Sequence, residues 1–571
     1  MNNRKINYFP EGKGLPKICP MNKEKRMPTL SNTTVFKAKK VITMNPANPS
    51  VTHVAVRDGK ILAAGTEAEI AGWGDHSLDE TFADKVIMPG FVEGHCHLMA
   101  GGIWQFTYVG YQDRIDPDGK HWPGVKTLED VLARLIEAEE KLGDDEPLVA
   151  WGFDPIFLMD RRLDKNDLDT VSRNRPMAVV HSNFHLMTVN SASLKLANYV
   201  GDMGVDGIAL GDDGSPNGEL QEMAAMFPIM RRLGINLREL GRARSSIVDF
   251  GKVCNRVGVT TAADLINDLP DEDVEEMTSV TSEEAYPIRL LSMLNGLAQP
   301  ADETRSRALE LMGKSTDKLR LGGVKIVTDG SIQGFTARVR WPGHYNGAPN
   351  GIWNIVPAQL NELVALLHEA GVQMHIHTNG DEAIEAALEA LEIAKTNNNR
   401  PDLRHVLQHC QMADRAQFRK MHRLGVCANL FSNHIYYFGD KHYELTIGPE
   451  RALRMDACQS AIDNNVTFTI HSDAPVTPMA PLFTAWCAVN RLTESGRVLG
   501  EYEKITVDEA LEAITLGAAS TLQMDHEVGS IEVGKWADFA ILDDDPLAIA
   551  PEKLKDIGIW GTVLSGQKFE I

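Results

Sequence analysis

Short apolar runs recur along the chain, separated by longer stretches whose apolar positions fall three and four apart. The runs are GFVEGHCHL (90–98), GVTTAADL (258–265), IRLLSML (288–294), GGVKIVTDG (322–330), VQMHIHTNG (372–380), RHVLQHCQM (404–412), GVCANLFSN (425–433) and TFTIHSDAP (467–475). Each has the length and composition of a buried strand. PAQLNELVALLHEAG (357–371) and DEAIEAALEALEIAK (381–395) read as helices between the later runs. Alternation of strand and helix implies parallel strands joined by crossovers, and eight such strands predict a closed (β/α)₈ TIM-like barrel.

Two regions depart from that rhythm. About 160 residues separate the first run from the second, too many for one connection, so an inserted subdomain is expected at about 103–255. Its strand candidates are PLVAWGFD (147–154) and PMAVVHSNFHLMTVNS (176–191), followed by the glycine-rich GIALGDDGSPNGELQE (207–222). The two chain ends carry β patterns, TVFKAKKVITMNPANPSVTHVAVRDGKILAAG near the start and GSIEVGKWADFAILDDDP with IGIWGTVLSGQKFEI near the finish. Their pairing would make one small composite β-sandwich. The expected layout is a tail at 1–32, the N-terminal portion of the sandwich at 33–88, the barrel with its insertion at 89–527, and the C-terminal portion of the sandwich at 528–571.

Composition narrows the function classes. The chain has 571 residues, 43% hydrophobic and 24% charged, with a formal net charge of −22. That acidity argues against nucleic acid or an anionic membrane as main partner. No run approaches the ~18 apolar residues of a membrane span, and nothing in the first ~30 residues has a signal-peptide core. The seven cysteines are an odd, widely spaced set without CxxC, which argues against a disulfide framework or a thiolate zinc site. The cytoplasm is the expected compartment, with a small molecule as partner and a homo-oligomer left open.

Chemistry concentrates at the predicted strand ends, where barrels carry their reactive groups. Strand one ends in His95-Cys96-His97, strand four carries Lys325, strand five His375 and His377, strand six His409, and strand eight His471 and Asp473. Strand alternation puts His95 and His97 on the inner face and turns Cys96 out towards the helices, with Cys410 likewise turned away from His409. Taken singly, each residue has an ordinary reading. A strand-end histidine is a hydrogen-bonded core residue, Asp473 before Ala-Pro a turn former, and Lys325 a snorkelling side chain. The ordered set on five strands favours a nitrogen-and-oxygen site for zinc or a neighbouring divalent metal.

These pieces resemble the amidohydrolase superfamily of metal-dependent hydrolases, in the branch called amidohydrolase family 3, with its N-substituted formamide deformylase-like proteins. The matching segments are PGFVEGHCHL, GVKIVTDGSIQGFTA, HIHTNGDEAI, LQHCQMAD, HSDAPVTPMAPL and GSIEVGKWADFAILDDDP, and the likeness spans about 33–571. The resemblance implies that His95, His97 and Asp473 hold one metal and that His377 and His409 hold a second. Lys325 would bridge the two as an N-carboxylysine, or exclude the second metal if it stays unmodified. His377 is preferred to His375 because it precedes TNGD, as the family's histidine precedes its GD. A buried lysine has a lowered pKa, and the neutral amine is the form that takes up CO₂. Asp473 would act as general base towards a metal-activated water. His185, matching a GH…NS segment, reaches the substrate or braces the insertion. His471 fills the barrel or stands behind the ligands.

Substrate contacts are expected from Trp104, Arg338 and His185, with Arg340 a second arginine at the mouth. Further aromatics in the same loops include Phe106, Tyr108, Tyr111, Phe335, Trp341, Tyr345, Phe431, Tyr436, Tyr437 and Phe438. The expected activity is hydrolysis of a non-peptide C–N bond in a small molecule. A decarboxylase or isomerase on the same centre is the alternative, and an inactive binding or regulatory protein the third class.

Overall fold

The computed structural model describes residues 33–158, 161–201, 203–205, 207–235 and 239–571; the predicted tail at 1–32 lies outside the described residues. Eight parallel strands form the centre: β1 (Phe91–Cys96), β2 (Val259–Asn267), β3 (Arg289–Asn295), β4 (Val324–Val327), β5 (Met374–Thr378), β6 (Val406–His409), β7 (Cys427–Leu430) and β8 (Phe468–Ile470). Each grows from one of the eight apolar runs, and neighbours in sequence are neighbours in the sheet. Closure comes just beyond the end of β8. The Asp473 amide donates to the His95 carbonyl at 3.0 Å and the His97 amide to the Ala474 carbonyl at 2.9 Å. The fold is a TIM-like (β/α)₈ barrel.

The outer helices are well specified locally. Arg415–Leu424 starts with a capping box between Asp414 and Gln417 and stops at Gly425, whose φ of +59° suits a residue without a Cβ. Asp381–Asn397 opens with two acidic residues against its dipole and buries one alanine- and leucine-rich face on the barrel. Among the described residues no helix is long and apolar enough to cross a membrane.

Between β1 and β2 the chain builds a separate six-stranded sheet. It runs in the order Ile208–Leu210, Pro216–Gln221, Leu186–Val189, Met177–His181, Leu148–Phe153, Thr107–Tyr108. The two sequence runs predicted there supply its middle, and the Asn190 side chain caps the helix Ser191–Ala197 by accepting from the Ser193 amide. The two chain ends meet in one continuous seven-stranded sheet, where Phe539–Leu542 pairs antiparallel with the end of His76–Pro89.

One buried ion pair ties that end sheet to the barrel. Arg289, at the start of β3, donates to both carboxylate oxygens of Asp538 at 2.6 and 3.1 Å, and both side chains are 2% exposed. The Asp538 carbonyl also accepts from Gly90, one residue before β1. Removing one partner of such a pair leaves a buried charge unpaired, which costs about 3–5 kcal/mol. Asp538→Ala should therefore lower the urea midpoint of the whole chain well below that of the wild type. A midpoint unchanged within error would mean that the pair carries no net stability.

Candidate metal centre

The strand ends deliver His95, His97, Lys325, His377, His409 and Asp473 to one cavity of about 420 Å³. His95 Nε2 and His97 Nε2 stand 3.4 and 3.0 Å from the same oxygen, Asp473 Oδ1, while Asp473 Oδ2 lies 3.9 Å from His409 Nδ1. The ligand atoms of His95, His97 and Asp473 all fall within 4.8 Å of one another. The same holds for His95, His409 and His471. Lys325 is buried, and among the described residues its Nζ has no hydrogen-bond partner.

Hydrogen bonds behind the rings determine which nitrogen faces the cavity. The His95 Nδ1–H donates to Gln408 Oε1 at 2.7 Å, and Gln408 Oε1 also accepts from Asn429 Nδ2 at 2.8 Å. Asn429 Oδ1 then accepts from His471 Nδ1 at 2.8 Å, so His471 Nε2 is left to accept from His409 Nδ1 at 3.0 Å. His377 turns Nε2 to the Gly330 carbonyl, 3.3 Å away. Each ring thus commits one nitrogen to the protein: Nδ1 of His95, Nδ1 of His409 and Nε2 of His377, which also lies 3.2 Å from Asn379 Nδ2. A ligand histidine held in this way is fixed in tautomer and orientation. His375 lies deeper and accepts from Gln408 Nε2 at 2.7 Å, outside the cavity lining.

Electrostatics favours the ligand forms. Burial, with help from neighbouring cations and rings, holds the imidazoles of His95, His377 and His409 well below the usual histidine range. Burial alone would push Asp473 up, but the His97 hydrogen bond and the charges of His97, His471 and Lys325 outweigh it and leave the carboxyl lowered. Burial brings the Lys325 amine down to about 7, with Asp473 opposing. Neutral imidazoles, one carboxylate and an unpaired buried amine are a donor set that fits a divalent cation. Cys96 is outside it. Its thiol donates to the Ala263 carbonyl at 3.4 Å, lies in the apolar layer with Cys254, and is pushed far up by burial. Cys410 turns to the Leu407 carbonyl and is also raised by burial.

Several participants were not predicted. Glu93, two residues before His95, accepts from the amides of His95 and Ser472 and from the Ser472 hydroxyl. Burial raises it to about 7. Strict alternation would have turned Gln408 away from His409. His409 has φ +69°, which breaks the period and lets both residues face inward. Phe184, Glu222, Ile266 and Asp473 also line the cavity with positive φ. Strain of that kind gathers where function requires it. Glu222 belongs to the glycine-rich segment of the insertion and holds His185 through Nδ1–H···Oε2 at 2.8 Å. Burial pulls His185 down, but the charge and hydrogen bond of Glu222, aided by Asp329 and Asp473, leave it raised.

The structure does not bring Arg338 or Trp104 to the cavity. Arg338 spends its guanidinium on Glu382 at 3.1 Å and on the Gly351 carbonyl, and Arg340 pairs with Glu385 and Asp414. Trp104 donates to the Ala100 carbonyl and packs against Tyr108, Trp122 and Trp151 inside the insertion. Nor do the predicted mouth aromatics line the large cavity. Its apolar wall is Leu98, Met99, Phe184, Met223, Ile266, Leu297, Val327 and Val476.

A model of the amidohydrolase family matches residues 83–568. The chain belongs to the amidohydrolase family. It is similar to Protein LONG AFTER FAR-RED 3 of Arabidopsis thaliana, 26% identical over 531 residues that cover 90% of this chain and 86% of that one. It is also similar to the N-substituted formamide deformylase of Arthrobacter pascens, 25% identical over 537 residues, 92% of this chain and 96% of that one. Among solved structures, an uncharacterized metal-dependent hydrolase from Pyrococcus horikoshii OT3 superposes with a TM-score of 0.69 at 19% identity. The match covers 91% of this chain and 99% of that one, a likeness of fold.

Within this amidohydrolase site, Gln408 is the residue whose loss should show the value of the supporting amides. Gln408→Leu removes the acceptor that holds His95. Metal affinity, measured by competition with a chelating dye, should fall about 10–100-fold with the circular dichroism unchanged. Wild-type affinity in that variant would mean that the amide does not orient the ring.

Proposed function

We propose that the chain is a cytoplasmic, metal-dependent amidohydrolase that cleaves a non-peptide C–N bond of a small molecule. The convergence of His95 Nε2 and His97 Nε2 on Asp473 Oδ1, beside an unpaired buried lysine amine, carries this reading. The proposed holders of one ion, zinc foremost, are His95, His97 and Asp473. His377 and His409 would hold a second, with Lys325 between them. An ion bound there polarises a carbonyl and lowers the pKa of its water towards ~7.

The remaining work falls to side chains. Asp473, held ionised, takes the proton of the attacking water and returns it to the leaving nitrogen. His185, kept basic by Glu222, donates a hydrogen bond to the substrate carbonyl oxygen. The apolar wall of the large cavity receives the hydrocarbon part of the amine, and its polar atoms orient the amide. Lys325, whose burial makes the neutral amine accessible, attacks CO₂ through nitrogen and releases a proton, which yields a carboxylate able to bridge two cations. The six described cysteines are all unpaired thiols, in keeping with a reducing compartment.

Zinc-loaded protein should hydrolyse N-acylated amines, and Asp473→Asn should lower kcat about 10²–10⁴-fold, the range of a lost general base. Absence of turnover across a panel of formamides, N-acyl amines, ureas, carbamates and cyclic amides would overturn the reading and favour a decarboxylase or isomerase. Carboxylation carries its own sign. A lowered lysine pKa means that the neutral amine gains as pH rises through about 7. Reconstitution of metal-free protein with zinc and bicarbonate should therefore carboxylate Lys325 at an initial rate about tenfold higher at pH 8 than at pH 6 at equal dissolved CO₂. A rate independent of pH would contradict the proposed role of the amine.

A further inference from the structure

A second, much smaller cavity of about 20 Å³ shares His377, His409 and Asp473 with the large one. Ser331, Gln333, Asn379, Gln411, Phe431 and His434 line this recess and not the large cavity. Four of them bury polar atoms that have no hydrogen-bond partner among the described residues: Gln333 Oε1, Asn379 Oδ1, Gln411 Nε2 and His434 Nε2. The residues are 4%, 5%, 1% and 1% exposed, so solvent does not satisfy them. The Gln411 amide acts on the Asp456 carboxyl, opposing the rise that burial causes there, which leaves two acceptors and His434 for an occupant. Buried polar groups are almost always paired, and orphans gathered on one recess mark a place built to receive something polar.

The donor and acceptor pattern says what. Asn379 Nδ2 donates to the Gly330 carbonyl at 2.8 Å, which determines the orientation of that amide and makes Oδ1 the free acceptor. The Gln333 amide makes no hydrogen bond among the described residues, so nothing fixes its orientation and it can turn its carbonyl to a donor in the recess. His434 is clamped between Phe431 and Phe438 at centroid distances of 4.2 and 4.4 Å, and its Nδ1 faces His442 Nε2 at 3.2 Å. His442 Nδ1 in turn meets the Thr446 hydroxyl at 2.8 Å. A proton can sit on either side of each link in that relay, so His434 Nε2 serves as donor or acceptor. Among the described residues no lysine or arginine lines the recess. The space is about that of one water-sized group.

With its amine substituent in the large apolar cavity, a carbonyl carbon attacked beside Asp473 has the recess for whatever else it carries, because His377, His409 and Asp473 line both. A formyl hydrogen leaves the orphan acceptors unpaired, and an acetyl methyl buries an apolar group against them. An amino group is the right size and donates to both Gln333 Oε1 and Asn379 Oδ1.

Resting on the hydrolase reading above, we propose that the recess is the site for a carbamoyl amino group and that the substrates are N-carbamoyl amines, that is, monosubstituted ureas. Water oxygen bonds to the carbonyl carbon, the bond to the substituted nitrogen breaks, and the proton passes through Asp473 to that nitrogen. The products are the free amine and carbamic acid, which decomposes to ammonia and CO₂.

The test compares N-benzylurea, N-benzylformamide and N-benzylacetamide on the zinc-loaded full-length protein. KM should be at least tenfold lower for the urea than for either amide. Gln333→Leu, and independently His434→Phe, should cut the urea-to-formamide ratio of kcat/KM by tenfold or more. Calorimetry on the Asp473→Asn protein supplies a readout free of turnover and should show the same preference for the urea in Kd. A ratio unchanged in both variants, or equal affinity for all three compounds, would mean that the recess holds solvent only and would overturn the assignment while leaving the hydrolase reading in place. No turnover of any of the three would remove the hydrolase reading and this proposal together.

Discussion

The ladder that closes the barrel is the constraint on which the site depends. Two backbone hydrogen bonds, from Asp473 to His95 and from His97 to Ala474, join the first strand to the segment following the last. They bring a carboxylate and two imidazoles together although 376 positions of sequence separate His97 from Asp473. Glu93 reinforces the seam by accepting from His95 and Ser472 on both sides of it. Geometry obtained from a backbone ladder is stiffer than geometry obtained from side-chain contacts, and metal chemistry needs positions held to about half an ångström.

A second layer of order lies behind the ligands. Gln408 and Asn429, two neutral amides in register on adjacent strands, connect His375, His95 and His471 in one chain of hydrogen bonds. An amide offers a donor and an acceptor at opposite ends, so the chain has a direction and transmits a tautomer from ring to ring. Carboxylates in those positions would shift the imidazoles towards protonation. The amides leave them neutral, with lone pairs towards the cavity.

Much of this was legible in the chain itself. Eight apolar runs became eight strands because buried parallel strands must be apolar on both faces. The alternation rule placed His95 and His97 inward and Cys96 outward, and they stand so although the pairing of β1 with β2 shifts register between Glu93 and Cys96. The rule failed for Gln408, because His409 takes a left-handed backbone that no periodicity announces. Glu222 was out of reach for another reason: its bond to His185 spans 37 residues within an insertion whose sheet order is not local. Arg338 and Trp104 do not line the large cavity, because proximity to a strand end says nothing about a competing partner. Glu382, on the helix that follows β5, captures the arginine, and the tryptophan packs against three aromatic rings of the insertion and lines a different cavity. Residues that depend on strand period were readable, and residues that depend on a chosen partner were not.

The central claim is that the metal is held by imidazole nitrogens and carboxylate oxygens alone, with every nearby thiol facing away. X-ray absorption at the zinc edge of the loaded protein tests this most directly. The account predicts a first shell of nitrogen and oxygen at about 2.0–2.2 Å with the multiple-scattering signature of several imidazoles. A sulfur shell at about 2.3 Å, or a spectrum without imidazole scattering, would contradict it.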